Sequence, residues 1–331
     1  PKGAYKDVKR FSKVLVFSSW EMVPRMIAGM ISYEAERKTV WKLAEKLGED
    51  IRYFYADNAG ESAKRKRFPA PRLNFAVKEE QANAMSLFCL IYPSEFLSNC
   101  YNPIECLNKK LSLKEIESSI KAKIKEAIFP LKTTDDGIVD KRWYYIAPML
   151  LDSGDYFDAW ADKISSLSDD DDEEGAKNKR QAGFLKHVIT LLQLKLDLLQ
   201  GTDKLGKMPD DLADVLTDMA IASPAICINR TYCRYLFGVN GYDTILATQI
   251  AKLFINRMNT PESTAVVELC YGKSEEAHWR NLIRYCKDGN MQAMFDEYAH
   301  LITNGLDKDS NTIKRLHNII ADSMSIKTTL Y

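Results

Sequence analysis

The feature that most constrains the fold is a long series of helical patterns that starts near residue 80. In each segment apolar residues recur at steps of three and four, and glycine, proline or short polar runs separate neighbouring segments. One start is marked by a capping box, because Ser112 precedes an apolar run and Glu115 follows three residues later. No fixed repeat period links the segments, which disfavours a solenoid. The patterns predict helices over 81–91, 113–128, 143–151, 155–167, 181–200, 210–221, 223–237, 242–258, 261–269, 275–287, 291–303 and 310–324.

The predicted helix over 181–200 has a very broad apolar face. Because apolar residues occupy so much of its circumference, we expect it to be the buried central helix of the domain. Six consecutive acidic residues, Asp169–Glu174, come shortly before it. Like charges at that density repel one another, so this run predicts a mobile loop.

A different pattern occupies the first 50 residues. Lys13–Ser18 contains four consecutive apolar residues, which is typical of a short strand buried on both faces in a parallel sheet. A turn with Ser18, Ser19 and Trp20 follows, and 21–47 then has a helical period. The chain is therefore predicted to be mainly α: a multi-helix, bundle-like domain attached to a small α/β piece.

The run KVLVFSSWEMVPRMIAGMISYEAER resembles the opening of the second RecA-like motor lobe of superfamily-two helicases, the strand and turn called motif IV. Three later runs, MSLFCLIYPSEFLSN, IASPAICINRTY and HWRNLIRYCKDGNMQAMFDEYAHL, resemble parts of a large helical insertion in a group of bacterial helicase-related proteins. In those proteins the insertion separates motif IV from the later motor motifs. The resemblance implies part of an ATP-dependent helicase or translocase acting on DNA or RNA. It places ATP and Mg²⁺ in the parent protein and no cofactor in this fragment.

This resemblance divides the chain into four parts. Residues 1–50 are predicted to begin the RecA-like C-terminal lobe, 51–78 to form a basic linker loop and 79–325 to form the helical insertion domain. The β-branched run 326–331 predicts a returning strand. The start at Pro1, without an initiator methionine, is what an excised piece of a larger protein predicts.

The rival interpretation is a stand-alone helical protein-interaction module without motor activity, whose single strand is incidental. Both interpretations allow a protein partner for the helical domain. Flanking coding sequence would distinguish them, because a motor requires a phosphate loop upstream and an arginine-rich motif downstream.

Candidate nucleic-acid contacts lie at two places near the N-terminus. The basic cluster Lys64–Arg67, with Arg72 and two phenylalanines close by, suits backbone phosphates and stacked bases; the alternative is a solvated loop. In the resembled family the turn after motif IV faces the nucleic acid, which adds two serines. The candidates are Ser18, Ser19, Lys64, Arg65, Lys66, Arg67 and Arg72. Because their charges are opposite, we hypothesise that the acidic run Asp169–Glu174 competes with nucleic acid for the basic cluster Lys64–Arg67.

The chain lacks sequence elements that ATP hydrolysis requires. Gly272-Lys273-Ser274 imitates the end of a phosphate loop, but Val267 stands where the first glycine of that pattern belongs. The acidic metal-binding motif and the arginine-rich motif VI of helicases are also absent. We therefore predict no catalytic residue and no ATPase activity in this fragment, and we interpret Lys273 as a solvated loop lysine.

Two Glu-x-x-His pairs, Glu275 with His278 and Glu297 with His300, are the candidate metal ligands. In di-iron carboxylate bundles two such pairs and two further glutamates hold the metals. Glu275 instead stands at a predicted helix start, where an acidic side chain offsets the helix dipole. The sequence therefore favours histidines hydrogen-bonded in a helical interface and predicts no metal site.

Overall charge and cysteine content bound the remaining function classes. Lysine plus arginine and aspartate plus glutamate both number 46, so the net field favours neither nucleic acid nor membrane. The seven cysteines are odd in number and form no C-x-x-C motif, which predicts reduced thiols. No apolar run approaches the roughly 20 residues that cross a bilayer. We predict a soluble, cytoplasmic chain without a membrane partner.

Overall fold

The computed structural model describes residues 17–48, 69–131, 137–166, 175–235, 244–272 and 277–305, apart from positions 21, 70 and 80. Helix accounts for 74% of the described residues and strand for 3%, so the prediction of a mainly α chain is confirmed. Phe17 and Ser18, the last two residues of the predicted motif IV strand, have no regular structure. The rest of that strand, the basic cluster, the acidic run and the predicted returning strand lie outside the described residues.

The described elements are fourteen helices, a two-stranded hairpin and a short 3₁₀ turn at Met85–Leu87. The hairpin pairs β1 (Val77–Lys78) antiparallel with β2 (Gln81–Ala82). The helices are α1 (Met22–Leu47), α2 (Phe88–Ile91), α3 (Glu95–Asn99), α4 (Pro103–Asn108), α5 (Leu113–Ile128), α6 (Trp143–Leu151), α7 (Tyr156–Ser166), α8 (Gly175–Gln200), α9 (Leu212–Ala222), α10 (Pro224–Tyr235), α11 (Thr244–Met258), α12 (Pro261–Tyr271), α13 (His278–Asp288) and α14 (Met291–Gly305).

Side-chain caps explain where several helices begin. The predicted capping box is confirmed at α5: Ser112 N donates to Glu115 Oε2 at 2.7 Å, and Glu115 N donates to Ser112 Oγ at 3.4 Å. Thr260 caps α12 by accepting a hydrogen bond from Ser263 N at 3.3 Å. These bonds satisfy amide groups that have no partner within the helix itself.

Two short consecutive helices, α9 and α10, form the centre of the core. Every residue from Pro224 to Tyr232 in α10 is buried, and α10 packs against α2, α3, α9, α11 and α14. Ser223 lies between the two helices and donates its hydroxyl to Cys89 O at 2.7 Å. Among the described residues no single helix has the length and hydropathy of a membrane span; α9 and α10 reach them only together, as a pair bent by 48°.

Helix α8 does not occupy the central position predicted for 181–200. Its buried side chains follow one stripe, formed by Phe184, His187, Val188 and Leu191. Ile189, Leu196 and Leu199 are exposed on other sides of the same helix. The prediction of a central buried helix is therefore wrong, because α7, β2 and the side chains of Phe75, Phe88 and Lys252 cover only one side of α8.

Candidate functional site

Helix α1 is much longer than the element that supports it. Its 26 residues span about 39 Å, whereas the 11 residues of α12 span about 16 Å. The contact with α12 lies near the C-terminal end of α1, where Val40, Leu43 and Ala44 are buried. Lys46 Nζ also donates to Leu269 O of α12 at 3.3 Å. The C-terminal third of α1 therefore anchors it to the rest of the structure, the described part of residues 69–305, which we call the body.

The apolar side of α1 continues beyond this anchor. At about 100° per residue, Met22 and Met26 lie on the same side of the helix as Val40 and Ala44, with Met30 at its border. The three methionines are 58–70% exposed, and Tyr33 on the same side is also exposed. We name Met22, Met26, Met30 and Tyr33 the α1 face. At about 100° per residue Arg25 and Arg37 fall on this same side, so the α1 face is a mixed surface in which exposed apolar side chains lie among arginines.

The predicted contacts Ser18 and Ser19 come shortly before α1, whose N-terminal part, residues 22–33, we call the arm. Both are exposed, as are Phe17 and Trp20 on either side of them. Ser18 Oγ accepts a hydrogen bond from Trp20 N at 3.1 Å, which tightens the turn into α1. The structure thus places these two serines next to the α1 face, and their contact with nucleic acid stays a prediction.

Arg72, another predicted nucleic-acid contact, lies on the body and pairs with a carboxylate. Asn259 holds the backbone there, since its Oδ1 accepts from Arg72 N at 2.9 Å and from Leu73 N at 3.1 Å. Arg72 Nε donates to Glu268 Oε1 of α12 at 3.1 Å, and the Glu268 side chain has no exposed surface. A phosphate at Arg72 would compete with this buried carboxylate, and the contact stays a prediction.

A cluster of buried polar groups surrounds that ion pair. His278, the first residue of α13, is 3% exposed and its two ring nitrogens have no hydrogen-bond partner among the described residues. The same holds for Glu268 Oε2 and Thr264 Oγ1. Burial, and secondarily the charge of Arg72, lower the pKa of His278 to about 4. The imidazole is therefore neutral near pH 7. We name Thr264, Glu268 and His278 the α12–α13 polar cluster.

The three described members of the two Glu-x-x-His pairs lie in different environments. His278 is buried, whereas Glu297 and His300 are exposed on α14 and the His300 ring faces Tyr235 at 6.5 Å; Glu275 lies outside the described residues. Within the described ranges no three His, Cys, Asp or Glu side chains are grouped to hold a metal ion. His278 does lie in a helical interface as predicted, but without the predicted hydrogen bond.

Two internal networks use polar residues that the sequence reasoning did not single out. Buried Arg230 donates to Ser98 O at 2.9 Å, Leu97 O at 3.2 Å, Ala220 O and Gln292 Oε1. The backbone oxygens lie in the last turns of α3 and α9, where a cation offsets the negative end of the helix dipole. In the sequence, an arginine among the apolar residues of α10 was the feature that could have indicated this network.

The second network centres on Asp152. Its carboxylate accepts hydrogen bonds from Ser94 Oγ at 2.8 Å, Phe96 N at 2.8 Å and Tyr92 Oη at 2.5 Å. Burial raises the pKa of Asp152 to about 6, and the three donors oppose that rise. Because its acceptors and donors are matched internally, this network supports the fold and is a poor candidate for a ligand site.

A groove between α9 and α13 brings carboxylates next to arginines. Asp211 accepts from Tyr144 Oη at 2.6 Å and from Arg280 Nη1 at 2.8 Å. Lys121 Nζ forms an ion pair with Asp214 Oδ1, and Lys287 Nζ lies 2.6 Å from Asp218 Oδ1. The three carboxylates are thus paired with cations, and Arg284 adds an exposed positive charge to the same groove.

Buried thiols are unsuited to nucleophilic chemistry here. Burial raises the pKa of Cys100 to about 11 and that of Cys227 to about 12. Neither sulfur is ionised near neutral pH, and the thiolate is the reactive form.

Comparisons with protein-family models, with curated proteins and with solved structures find no match to this chain. The structure shows a mainly α-helical chain, and membership of a helicase family stays a prediction. The feature with the clearest capacity to bind another molecule is the α1 face.

Proposed function

We propose that this chain is part of an ATP-dependent helicase or translocase that acts on DNA or RNA. In this proposal α1 belongs to the motif IV edge of the second motor lobe, and the helical body is an accessory domain that docks nucleic acid or a protein. ATP and Mg²⁺ belong to the parent protein, and the fragment itself is catalytically inactive. The parent is bacterial and cytoplasmic in this interpretation.

The observation that carries the proposal is the exposed apolar side of α1. In an α/β lobe each helix buries one apolar side against the sheet. The α1 face has that composition, yet Met22, Met26 and Met30 are largely exposed here. The run that resembles a buried parallel strand directly precedes α1 in sequence. A helix separated from the rest of its sheet accounts for both facts.

The test is to express the chain with its flanking coding sequence and compare hydrogen exchange along α1 in the short and long proteins. We expect backbone amides of Met22–Tyr33 to be protected only in the long protein, because a sheet would cover the α1 face there. The long protein should also hydrolyse ATP, while the short chain should not. Flanking sequence that lacks motor motifs, together with unchanged exchange along α1, would contradict the proposal.

Nucleic-acid binding is tested at the basic cluster. Neutralising Lys64, Arg65, Lys66 and Arg67 should weaken binding to every sequence, and each lost phosphate contact should reduce the log–log salt slope by about 0.7–0.9. Fluorescence anisotropy at several salt concentrations measures both quantities. The matched control neutralises four exposed lysines elsewhere, Lys110, Lys114, Lys125 and Lys204. Equal losses in both variants would mean that only net charge matters.

The second candidate function is a stand-alone helical interaction module. The α1 face supports it equally well, because an exposed apolar helix side also suits a protein partner. The two functions differ in what substitution of the face does to ATP turnover. In a motor protein Met26→Lys should reduce the ATPase rate of the long chain, whereas a separate module has no ATPase to affect.

A further inference from the structure

The α12–α13 polar cluster lies where three parts of the chain meet. Thr264 and Glu268 are four residues apart and so share one side of α12. Arg72 brings the segment 71–76 to Glu268, and Asn281 Nδ2 donates to Gly272 O at 3.0 Å, which holds α13 beside the end of α12. A side chain in the first turn of a helix points back toward the helix start, which directs His278 to the same junction.

Four polar atoms at this junction are buried and have no hydrogen-bond partner in the described part of the chain: Thr264 Oγ1, Glu268 Oε2, and Nδ1 and Nε2 of His278. Folded proteins leave few buried polar atoms unpaired, because such an atom loses its bonds to solvent without replacement. Where no side chain is in reach, an internal water molecule usually makes the bonds. The cluster therefore requires a partner other than a described side chain.

Charge restricts what that partner is. A metal ion would be repelled by the Arg72 guanidinium, and within the described residues no three His, Cys, Asp or Glu side chains are grouped to hold one; Glu268 and His278 are only two such groups. An anion would be repelled by Glu268 itself. The partner must also donate to Glu268 Oε2 and accept from the Thr264 hydroxyl or the imidazole N–H. Water is uncharged, both donates and accepts hydrogen bonds, and is small enough to fit between packed helices.

We propose that Thr264, Glu268 and His278 bind internal water that links α12 to the start of α13. The water donates a hydrogen bond to Glu268 Oε2, while Arg72 Nε donates to the other carboxylate oxygen, Oε1. It thereby helps to fix the segment 71–76 to the body. This site shares Arg72 with the proposed nucleic-acid contacts but involves neither α1 nor Lys64–Arg67. Its tests below alter Thr264 and His278 and leave Arg72 in place, so the two proposals can fail separately.

Thr264→Val distinguishes a hydrated cluster from a dry one, because valine has the shape of threonine without the hydroxyl. If water is bound, the substitution removes one of its partners and the Tm should fall. If the cluster is dry, the substitution removes an unpaired buried hydroxyl and the Tm should rise. The control is Thr248→Val, which should lower the Tm in either case. Thr248 Oγ1 accepts from Trp160 Nε1 at 2.9 Å and donates to Ile91 O at 3.1 Å.

A crystal structure of the chain, at a resolution that shows ordered water, is the second measurement. We expect density within hydrogen-bond distance of Glu268 Oε2 and of one His278 ring nitrogen, and its loss in His278→Phe. Density for a metal ion, side chains that bond directly to one another, or an empty junction together with a higher Tm for Thr264→Val would each overturn the proposal.

Discussion

Helix α10 and the N-terminal part of α1 reverse the usual relation between residue type and burial. α10 carries Asn229, Arg230 and Thr231, and all three are buried at the centre of the body. The α1 face is apolar, and most of it is exposed. Arg230 is tolerated inside because it donates hydrogen bonds to backbone carbonyls at the ends of α3 and α9. Met22, Met26 and Met30 of the α1 face are more than half exposed, so in these two regions residue type alone does not indicate burial.

The largest expected effect in this comparison is Arg230→Met, which should destabilise the fold by about 3–5 kcal/mol. The substitution leaves the oxygens of Leu97, Ser98 and Ala220 buried without their donor. Urea unfolding followed by circular dichroism measures the change. Arg230→Lys keeps the charge without the planar fork and should fall between the wild type and Arg230→Met. A loss below about 1 kcal/mol would mean that the helix ends do not depend on this cation.

Leu43→Ala should have the next largest effect, about 2–4 kcal/mol, and mostly on α1. Leu43 is fully buried where α1 is anchored to the body. Because the contact with α12 anchors α1 at Val40, Leu43 and Ala44, its amides should exchange faster in the variant while those of α9 and α10 keep their protection. The control Leu196→Ala removes a half-exposed side chain from α8 and should change stability little. Equal acceleration in α1 and α10 would show that the arm and the body unfold as one unit.

Lys252→Met should stabilise the body by about 3 kcal/mol at pH 7, since each unit of pKa shift corresponds to about 1.4 kcal/mol. Lys252 Nζ lies 3.7 Å from the centre of the Phe184 ring, and burial lowers its pKa from 10.5 to about 8. Below pH 8 both the folded and unfolded chains hold this proton, so the cost of burying the charge is constant. Between about pH 8 and 10.5 the unfolded chain holds more protons, so the stability of the wild type rises with pH.

The advantage of Lys252→Met should therefore shrink over that same interval. Thermal unfolding from pH 6 to 10 measures it, with Lys125→Met on the surface of α5 as the control. A gain that does not change with pH would contradict burial of the charge as its cause.

Local signals in the sequence predicted local structure well. The apolar period over 21–47 anticipates α1 at Met22–Leu47, and Ser112 with Glu115 marks the start of α5. Periodicity and caps succeed because they depend on residues one turn apart. The α1 face itself was not singled out, although Met22, Ile27, Met30 and Ile31 defined the helical period. A pattern shows that a helix has an apolar side, but not what covers it.

Tertiary features were less accessible for the same reason. The broad apolar content of α8 predicted a central position, but α9 and α10 occupy it because more elements pack around them. The pairing of Arg72 with Glu268 joins residues far apart in the chain, and no local spacing indicates it. His278 was predicted to be a hydrogen-bonded histidine in a helical interface rather than a metal ligand, but no local spacing indicates which side chains lie beside it. Contacts between distant segments decide the candidate site.

The smallest expected effect belongs to the double variant Met26→Lys/Met30→Lys in this chain. Both side chains are more than half exposed, so the stability of the isolated chain should change by less than about 0.5 kcal/mol. The same two charges should prevent α1 from docking in the longer protein, because burying them there would cost far more than exposing methionine. Urea unfolding of the short chain and hydrogen exchange along α1 in the long protein measure the two effects separately. The comparison between body and arm holds if the short chain is unaffected and protection of α1 is lost in the long one. A loss above about 1 kcal/mol in the short chain would mean that the α1 face is already covered there.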